Sequence, residues 1–423
     1  MATILTALSA LFLYFWPLDL SETTLSIVVG LVGGVYLLVT AFTNLLIINP
    51  LQQAEQQTTP RVIELFKTDV YVRSLGIFLV IFPIVSVLFT VHAVPESWLS
   101  TNLLFSIWLV LFGLALDLLR LYRGRLMEFL NPQKVIAMAV QNGRADIAQG
   151  RDAELCRWIA NLSEIGLRAA KQGGISLAEQ AVDGQSQLVR HFLTVHHRSL
   201  EIEQPEASIQ QRADYVLGYS LDHLKASFLQ ALDQQLFPLC SHILSCLGHV
   251  SLAAAKGDTH KANQPLGQMG SLGLVALEQN VADLSVKASM VLMAVARRLV
   301  TEGPSDQLKE PLLTLVGQLE LLAKTTFRKD KETEIKILTE PFLQLKVLFS
   351  QATYDNRNDV QSALRAVDSV LADFQNLELV MNTLPPIHST EEDEEEEPIS
   401  RVVDPESVAQ SFTSSEEQDT SSD

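Results

Sequence analysis

Apolar positions are unevenly spread along this chain. Residues 25 to 48, 75 to 94 and 99 to 119 are almost uncharged apolar runs, each close to the roughly 20 residues a helix needs to cross about 30 Å of hydrocarbon. A shorter run, about 3 to 18, precedes them. It reads as a fourth span, because a secretory signal would carry basic residues ahead of its apolar core and small residues at a cleavage site. Nothing basic but the N-terminal amine occurs before Arg61. The pattern therefore predicts a transmembrane bundle over residues 1 to 120, with four helices, or three if the first run is removed.

The positions of Lys and Arg orient these spans. Basic residues near span ends stay on the cytoplasmic side. The loop 49 to 74 holds Arg61, Lys67 and Arg73, and the stretch after the last span holds Arg120, Arg123, Arg125 and Lys134. The connections at 17 to 24 and at His92 to Ser97 hold only Asp19, Glu22 and Glu96. Four spans with the N-terminus and the C-terminal region both cytoplasmic satisfy every loop, in a plasma or bacterial inner membrane. Within the inner loop, Val62, Ile63, Phe66 and Val70 share a helical face, which predicts a helix lying in the membrane interface or packed on the cytoplasmic body.

From 121 to 385 the apolar pattern changes to helical spacing with no period-2 run, so an all-α cytoplasmic domain is expected. Its last helix is the clearest, with Val360, Leu364, Val367, Leu371, Phe374 and Met381 at steps near three and four and Pro385-Pro386 behind it. Apolar, Ala-bearing stretches ending at Gly143, Gly174, Asp258 and Asn356 read as helix C-termini closed by a residue tolerant of positive φ. They suggest stacked helical hairpins. The spacing of the ends is irregular, so the domain is either an α-solenoid-like hairpin stack or an irregular bundle.

Charge changes the picture only at the end of the chain. Of a net charge of −18, residues 386 to 423 contribute −12, from 13 acidic residues against Arg401. So polar a segment cannot bury enough surface to order itself, which predicts a disordered acidic tail, either a solvating extension that repels anionic lipid or a docking or phosphorylation segment. The rest is nearly balanced and shows no basic stripe, so nucleic acid is not an expected partner. Three cysteines, Cys156, Cys240 and Cys246, make no disulfide framework and suit a reducing compartment.

Candidate chemistry is sparse. Ser26, Gly30 and Gly34 fall at steps of four inside the second run, a smooth face that lets another helix approach closely. No Lys or Ser/Thr follows to meet phosphate, so the glycines are not a nucleotide loop. Polar groups within the spans are Asn44 and Asn102, which read as interhelical hydrogen-bonding amides, and Asp117, which reads as an interfacial partner of Arg120. In the body, a helix begun by Pro238 brings His242, Cys246 and His249 to one face, while Cys240 points away; among leucines this reads as a packed or partly exposed face, with zinc or copper ligand chemistry as the alternative. The pair His196-His197 reads as a polar helix end. Phosphate-loop, dinucleotide, zincin, C-x-x-C and nucleophile-elbow motifs are all absent from the sequence.

No cofactor and no enzymatic activity are therefore expected. The expected partners are the lipid bilayer and a protein bound by the cytoplasmic domain, with a homo-oligomer also compatible with the small-residue face. A membrane-anchored helical scaffold is the leading reading, and a channel or transporter subunit with a large regulatory domain is its alternative. The scarcity of charge within the spans favours the scaffold.

Overall fold

Uninterrupted apolar runs with few helix breakers leave the N-terminal backbone one way to pair its own N–H and C=O groups, and it forms four long helices. α1 spans Ala2–Phe15, α2 Glu22–Gln57, α3 Val70–His92 and α4 Thr101–Phe129. The structure is a computed structural model that describes residues 2–15, 22–57, 69–92, 101–202, 207–302, 307–330, 334–354 and 358–383. The acidic tail, the tips of the connections between the first four helices and residues 61–68 of the expected interfacial helix lie outside the described residues. Val70 and Arg73, at the end of that expected helix, instead form the first turn of α3. Asp69 caps it, its Oδ1 accepting from the N–H groups of Tyr71 at 2.8 Å and Val72 at 3.1 Å.

α4 is the hub of this bundle and packs on α1, α2 and α3. Trp108 and Leu79 are buried at its centre, and the Trp108 ring stacks on Phe105 and Phe112 with centroids 5.8 Å apart in both cases. Two helices outrun their apolar stretches. α2 continues through Pro50 to Gln57, and α4 continues through Arg120, Arg123 and Arg125 to Phe129. The expected boundary at residue 120 therefore falls inside one continuous helix. The α2 extension reaches the later helices, where Arg168 donates to the carbonyl of Glu55.

The remainder of the described chain is also entirely helical. α5 spans Pro132–Ala148, α6 Asp152–Lys171, α7 Ile175–Ile202, α8 Ala207–Asp233 and α9 Phe237–Gly257. A 3-10 turn, Thr259–Ala262, leads into α10 Asn263–Glu278, followed by α11 Ala282–Glu302, α12 Lys309–Lys329, α13 Ile335–Tyr354 and α14 Asn358–Thr383. Residues Met1–Gln375 form one compact unit and Asn376–Asp423 a second, of which only the end of α14 is described.

Four hairpins in this region close on a residue with positive φ: Gly150 (67°), Gly173 (74°), Gln235 (57°) and Asn280 (61°). Such a residue ends a helix abruptly and lets an antiparallel partner begin within a few residues. Each helix from α5 to α11 then packs on the next but one as well as on its neighbour. α5, α7, α9, α11 and α13 make one row and α6, α8, α10 and α12 the other. Gly143 is a correction to the sequence reading: it does not end a helix, since α5 runs on to Ala148. A Cβ there would lie 2.8 Å from a Leu188 methyl, so this glycine serves the close approach of α5 to α7. Between the rows, Phe228, Leu244, Leu266 and Leu292 are fully buried, each contributing about 1.5–3 kcal/mol of apolar transfer free energy.

Candidate functional site

The chemistry-bearing residues gather in two places, the interior of the α1–α4 bundle and the contact between α7 and α9. In the bundle, polar side chains of the described residues are engaged by another helix or by their own turn. The Tyr36 hydroxyl donates to the Ala115 carbonyl at 2.9 Å, and Trp108 Nε1 donates to Ser86 Oγ at 3.0 Å. Asn44 accepts from the Tyr122 hydroxyl at 2.7 Å, joining α2 to α4. Asn102 is in the first turn of α4, and its side chain lies outside the described set.

Asp117 departs from its expected role beside Arg120. Its Oδ1 accepts from the Ala2 N–H at 3.2 Å, while Oδ2 accepts from the Thr3 N–H at 3.0 Å and the Thr3 hydroxyl at 2.6 Å. The carboxylate thus caps α1 from another helix. The cause is proximity to the unpaired N–H groups and positive dipole end of α1, which attract an anion more specifically than an arginine further along α4's own surface.

The small-residue face is shifted by one position from its sequence reading. Ser26 Oγ donates to the Thr90 carbonyl at 3.4 Å, and a Cβ on Gly30 would rest 3.5 Å from Thr90 Cγ2. The tightest approach is at Gly33, where a Cβ would lie 2.7 Å from Ser86 Cβ. Gly34 is exposed and has nothing within 4 Å of that position. At 3.6 residues per turn a strict step of four drifts around the helix, so the contact line runs 26, 30, 33. A second close approach was not read from sequence: a Cβ on Gly113 would come within 3.0 Å of Thr3 Cα, bringing α4 onto α1.

In the body, Pro238 sits in the first turn of α9, as its fixed φ and missing N–H favour. His242 and Cys246, one turn apart, then face α7, and Cys240 is buried on another side with its thiol toward the Phe228 carbonyl at 3.8 Å. His249 does not join them. The third member is Asp183 on α7, and its Oδ1 accepts from His242 Nε2 at 2.9 Å and from the Cys246 thiol at 3.6 Å. Cys246 Sγ lies 3.7 Å from His242 Nε2. The potential ligand atoms of Asp183, His242 and Cys246 lie within 4.8 Å of one another. Asp183 precedes His242 by 59 residues, so no local spacing announces it.

Electrostatics differ across this contact. Burial and the adjacent Asp183 push the Cys246 thiol up to about 12, so without a cation it is a protonated, unreactive thiol. Cys240 is likewise pushed up to about 12 by burial. His249 instead lines a cleft of about 270 Å³ with Arg190, Thr194, Lys256, Arg298 and Glu302. Burial, then Arg190 and Arg298, lower its pKa. Asp183 opposes that shift, and Arg190 acts on Cys246 as well, so His249 is set apart by position: its ring is not among the donor atoms gathered at Asp183.

No protein family and no curated protein sequence matches the chain. Among solved structures, the chain is similar to a circular tandem repeat protein with novel repeat topology and enhanced subunit contact surfaces. The two share 15% identity over 85% of this chain and 86% of that one, at a TM-score of 0.38.

Proposed function

We propose that the protein is an integral membrane scaffold, in which α1–α4 lie in the bilayer and the stacked helices from α5 onward present a cytoplasmic surface to a protein partner. The observation that carries this reading is the outer surface of the bundle. Most exposed large apolar side chains among the described residues belong to α1–α4, including Leu5, Phe12, Leu38, Phe42, Phe78 and Leu88. A water-facing bundle would not display so large an apolar coat.

Four helices are long and apolar enough to cross a membrane by composition, covering Ser26–Glu55, Val70–Leu88, Phe105–Phe129 and Phe237–Gly257. The last belongs to the body: its apolar window is 56% buried, against 18%, 28% and 28% for the other three, and it packs on α7, α8, α10 and α11. α1 is shorter, and its contact with α4 supports counting it with the spans. The Asp117 bonds set the start of α1 at the same end of the bundle as Arg120, Arg123 and Arg125, and the preference of basic residues for the cytoplasmic side supports reading that end as internal.

The scaffold is favoured over a channel because Asp117, Asn44 and Ser86 are engaged in bonds between helices and leave no line of polar groups for an ion among the described residues. Val286 and Met290, one turn apart on α11, and Ile337 on α13 are exposed apolar positions suited to a partner. Reconstitution tests the proposal. The full-length protein should resist alkaline extraction from membranes and pass no ions above background in liposomes. Ion flux abolished by Asn44→Ala or Asp117→Ala would establish the channel reading instead, and release by alkali would refute both.

A further inference from the structure

The face between α7 and α9 carries a set of donors that a scaffold does not require. His242 and Cys246 project from one face of α9 at a spacing of four, and Asp183 meets them from α7. Their atoms are an imidazole nitrogen, a thiol sulfur and a carboxylate oxygen, the three protein donor types that zinc accepts.

Distance discriminates a metal-competent set from a chance polar cluster. Bond lengths of about 2.3 Å to sulfur and about 2.0–2.1 Å to nitrogen and oxygen in a tetrahedral site place sulfur about 3.5 Å from each of the other donors. The observed separations from Cys246 Sγ are 3.7 Å to His242 Nε2 and 3.6 Å to Asp183 Oδ1. The tetrahedral nitrogen-to-oxygen edge is about 3.3 Å, and the observed 2.9 Å is that of a hydrogen bond, which a cation would replace by opening the pair a few tenths of an ångström. Access is also present: the Asp183 side chain is 49% exposed and that of His242 30%, whereas Cys246 is buried. The mixture of soft sulfur with nitrogen and oxygen selects a borderline divalent cation over calcium or magnesium, which take oxygen cages.

We propose that Asp183, His242 and Cys246 form a three-ligand site for a zinc-class divalent cation, with its fourth position open to solvent and His249 outside the set. On binding, the Cys246 S–H bond breaks and its proton leaves to solvent, while the His242 Nε2–H proton given to Asp183 is lost and solvent protonates Nδ1, so that the thiolate and the freed Nε2 lone pair form the bonds to the metal; no redox change occurs. The cation then ties α7 to α9, joining two helices of one row of the stack.

The test uses the full-length protein in detergent, titrated with Co²⁺ as a spectroscopic probe and then with Zn²⁺. One Co²⁺ per chain should bind with a thiolate-to-cobalt charge-transfer band, and Zn²⁺ should displace it and raise the melting temperature. Cys246→Ser should abolish the band. Asp183→Asn and His242→Gln should each weaken Co²⁺ binding by about tenfold or more, because loss of even an outer-shell partner costs about that much. His249→Ala should leave affinity and spectrum unchanged. Because Cys246→Ser could unfold the helix pair, circular dichroism accompanies each variant, and the double variant Cys156→Ser/Cys240→Ser, with Cys246 as its single thiol, must keep the band. Absence of a stoichiometric charge-transfer band in the wild type overturns the proposal. A band that survives Cys246→Ser, wild-type affinity in a folded Asp183→Asn, or loss of binding in a folded His249→Ala does so equally.

Discussion

The Asp117 carboxylate accepts both the main-chain N–H and the hydroxyl of Thr3, at 3.0 and 2.6 Å, across a sequence separation of 114 residues. A helix N-terminus ordinarily finds its cap in the residue just before it. Here the cap for α1 comes from α4, so helix termination and helix packing are one interaction. Asp117→Ala should lower the denaturant midpoint of the full-length protein in mixed micelles, and Asp117→Asn, which keeps an acceptor but loses the charge, should fall between it and wild type. Far-ultraviolet circular dichroism checks the order.

Gly33 and Gly34 separate packing from propensity. Gly33→Val should destabilise the bundle by about 1–3 kcal/mol, as overpacking does, because even its Cβ would lie 2.7 Å from Ser86 Cβ. Gly34→Ala meets nothing within 4 Å and should be neutral or stabilising by up to about 1 kcal/mol through helix propensity. Micellar unfolding of the two variants side by side decides the register. Equal destabilisation of both would show that the α2–α3 contact is not centred on Gly33.

Asp146 ties the first hairpin of the body. Trp158 Nε1 donates to its Oδ2 at 2.7 Å and Arg151 to its Oδ1, and the residue is buried. Asp146→Ala leaves the half-exposed Arg151 to water but strips the Trp158 N–H of its acceptor, and should cost about 1–3 kcal/mol. Trp158→Phe leaves Arg151 paired and most of the ring volume in place, and its smaller loss, measured by denaturant unfolding, isolates the indole bond.

His196 should make stability fall in mild acid. It stacks on Phe192 with centroids 5.6 Å apart, and its Nε2 is buried with no hydrogen-bond partner among the described residues. Burial first, then the charges of Lys261 and Arg212, lower its pKa, against weaker opposition from Asp152 and Asp214. The unfolded chain takes up this proton near pH 6.5 while the folded chain stays neutral to a lower pH. Between those two pKa values the unfolded state binds more protons, so stability is full above about pH 6.5 and declines as pH drops below it. Burial shifts His223 in the same direction. In denaturant titrations across that range, His196→Phe should show a shallower decline than wild type.

The sequence alone determined what depends on near neighbours in the chain. Apolar run length marked the helices α2, α3 and α4. Helical periodicity and the absence of alternating runs established an all-α body, and Pro238 fixed the start of α9. His242 and Cys246 were legible together because four residues make one helical turn. Tertiary structure decided everything that depends on which faces meet. It set Asp183 rather than His249 beside His242 and Cys246, because α7 packs beside α9 while His249 lines a cleft with Arg190 and Arg298. It moved the close contact from Gly34 to Gly33, since the path of α3 over α2 selects the touching side. It gave Asp117 to the start of α1 and made Gly143 a packing position within α5. A chain's periodicity says how many faces each helix has, but which face is buried depends on contacts made by residues far apart in sequence, and no local pattern encodes them.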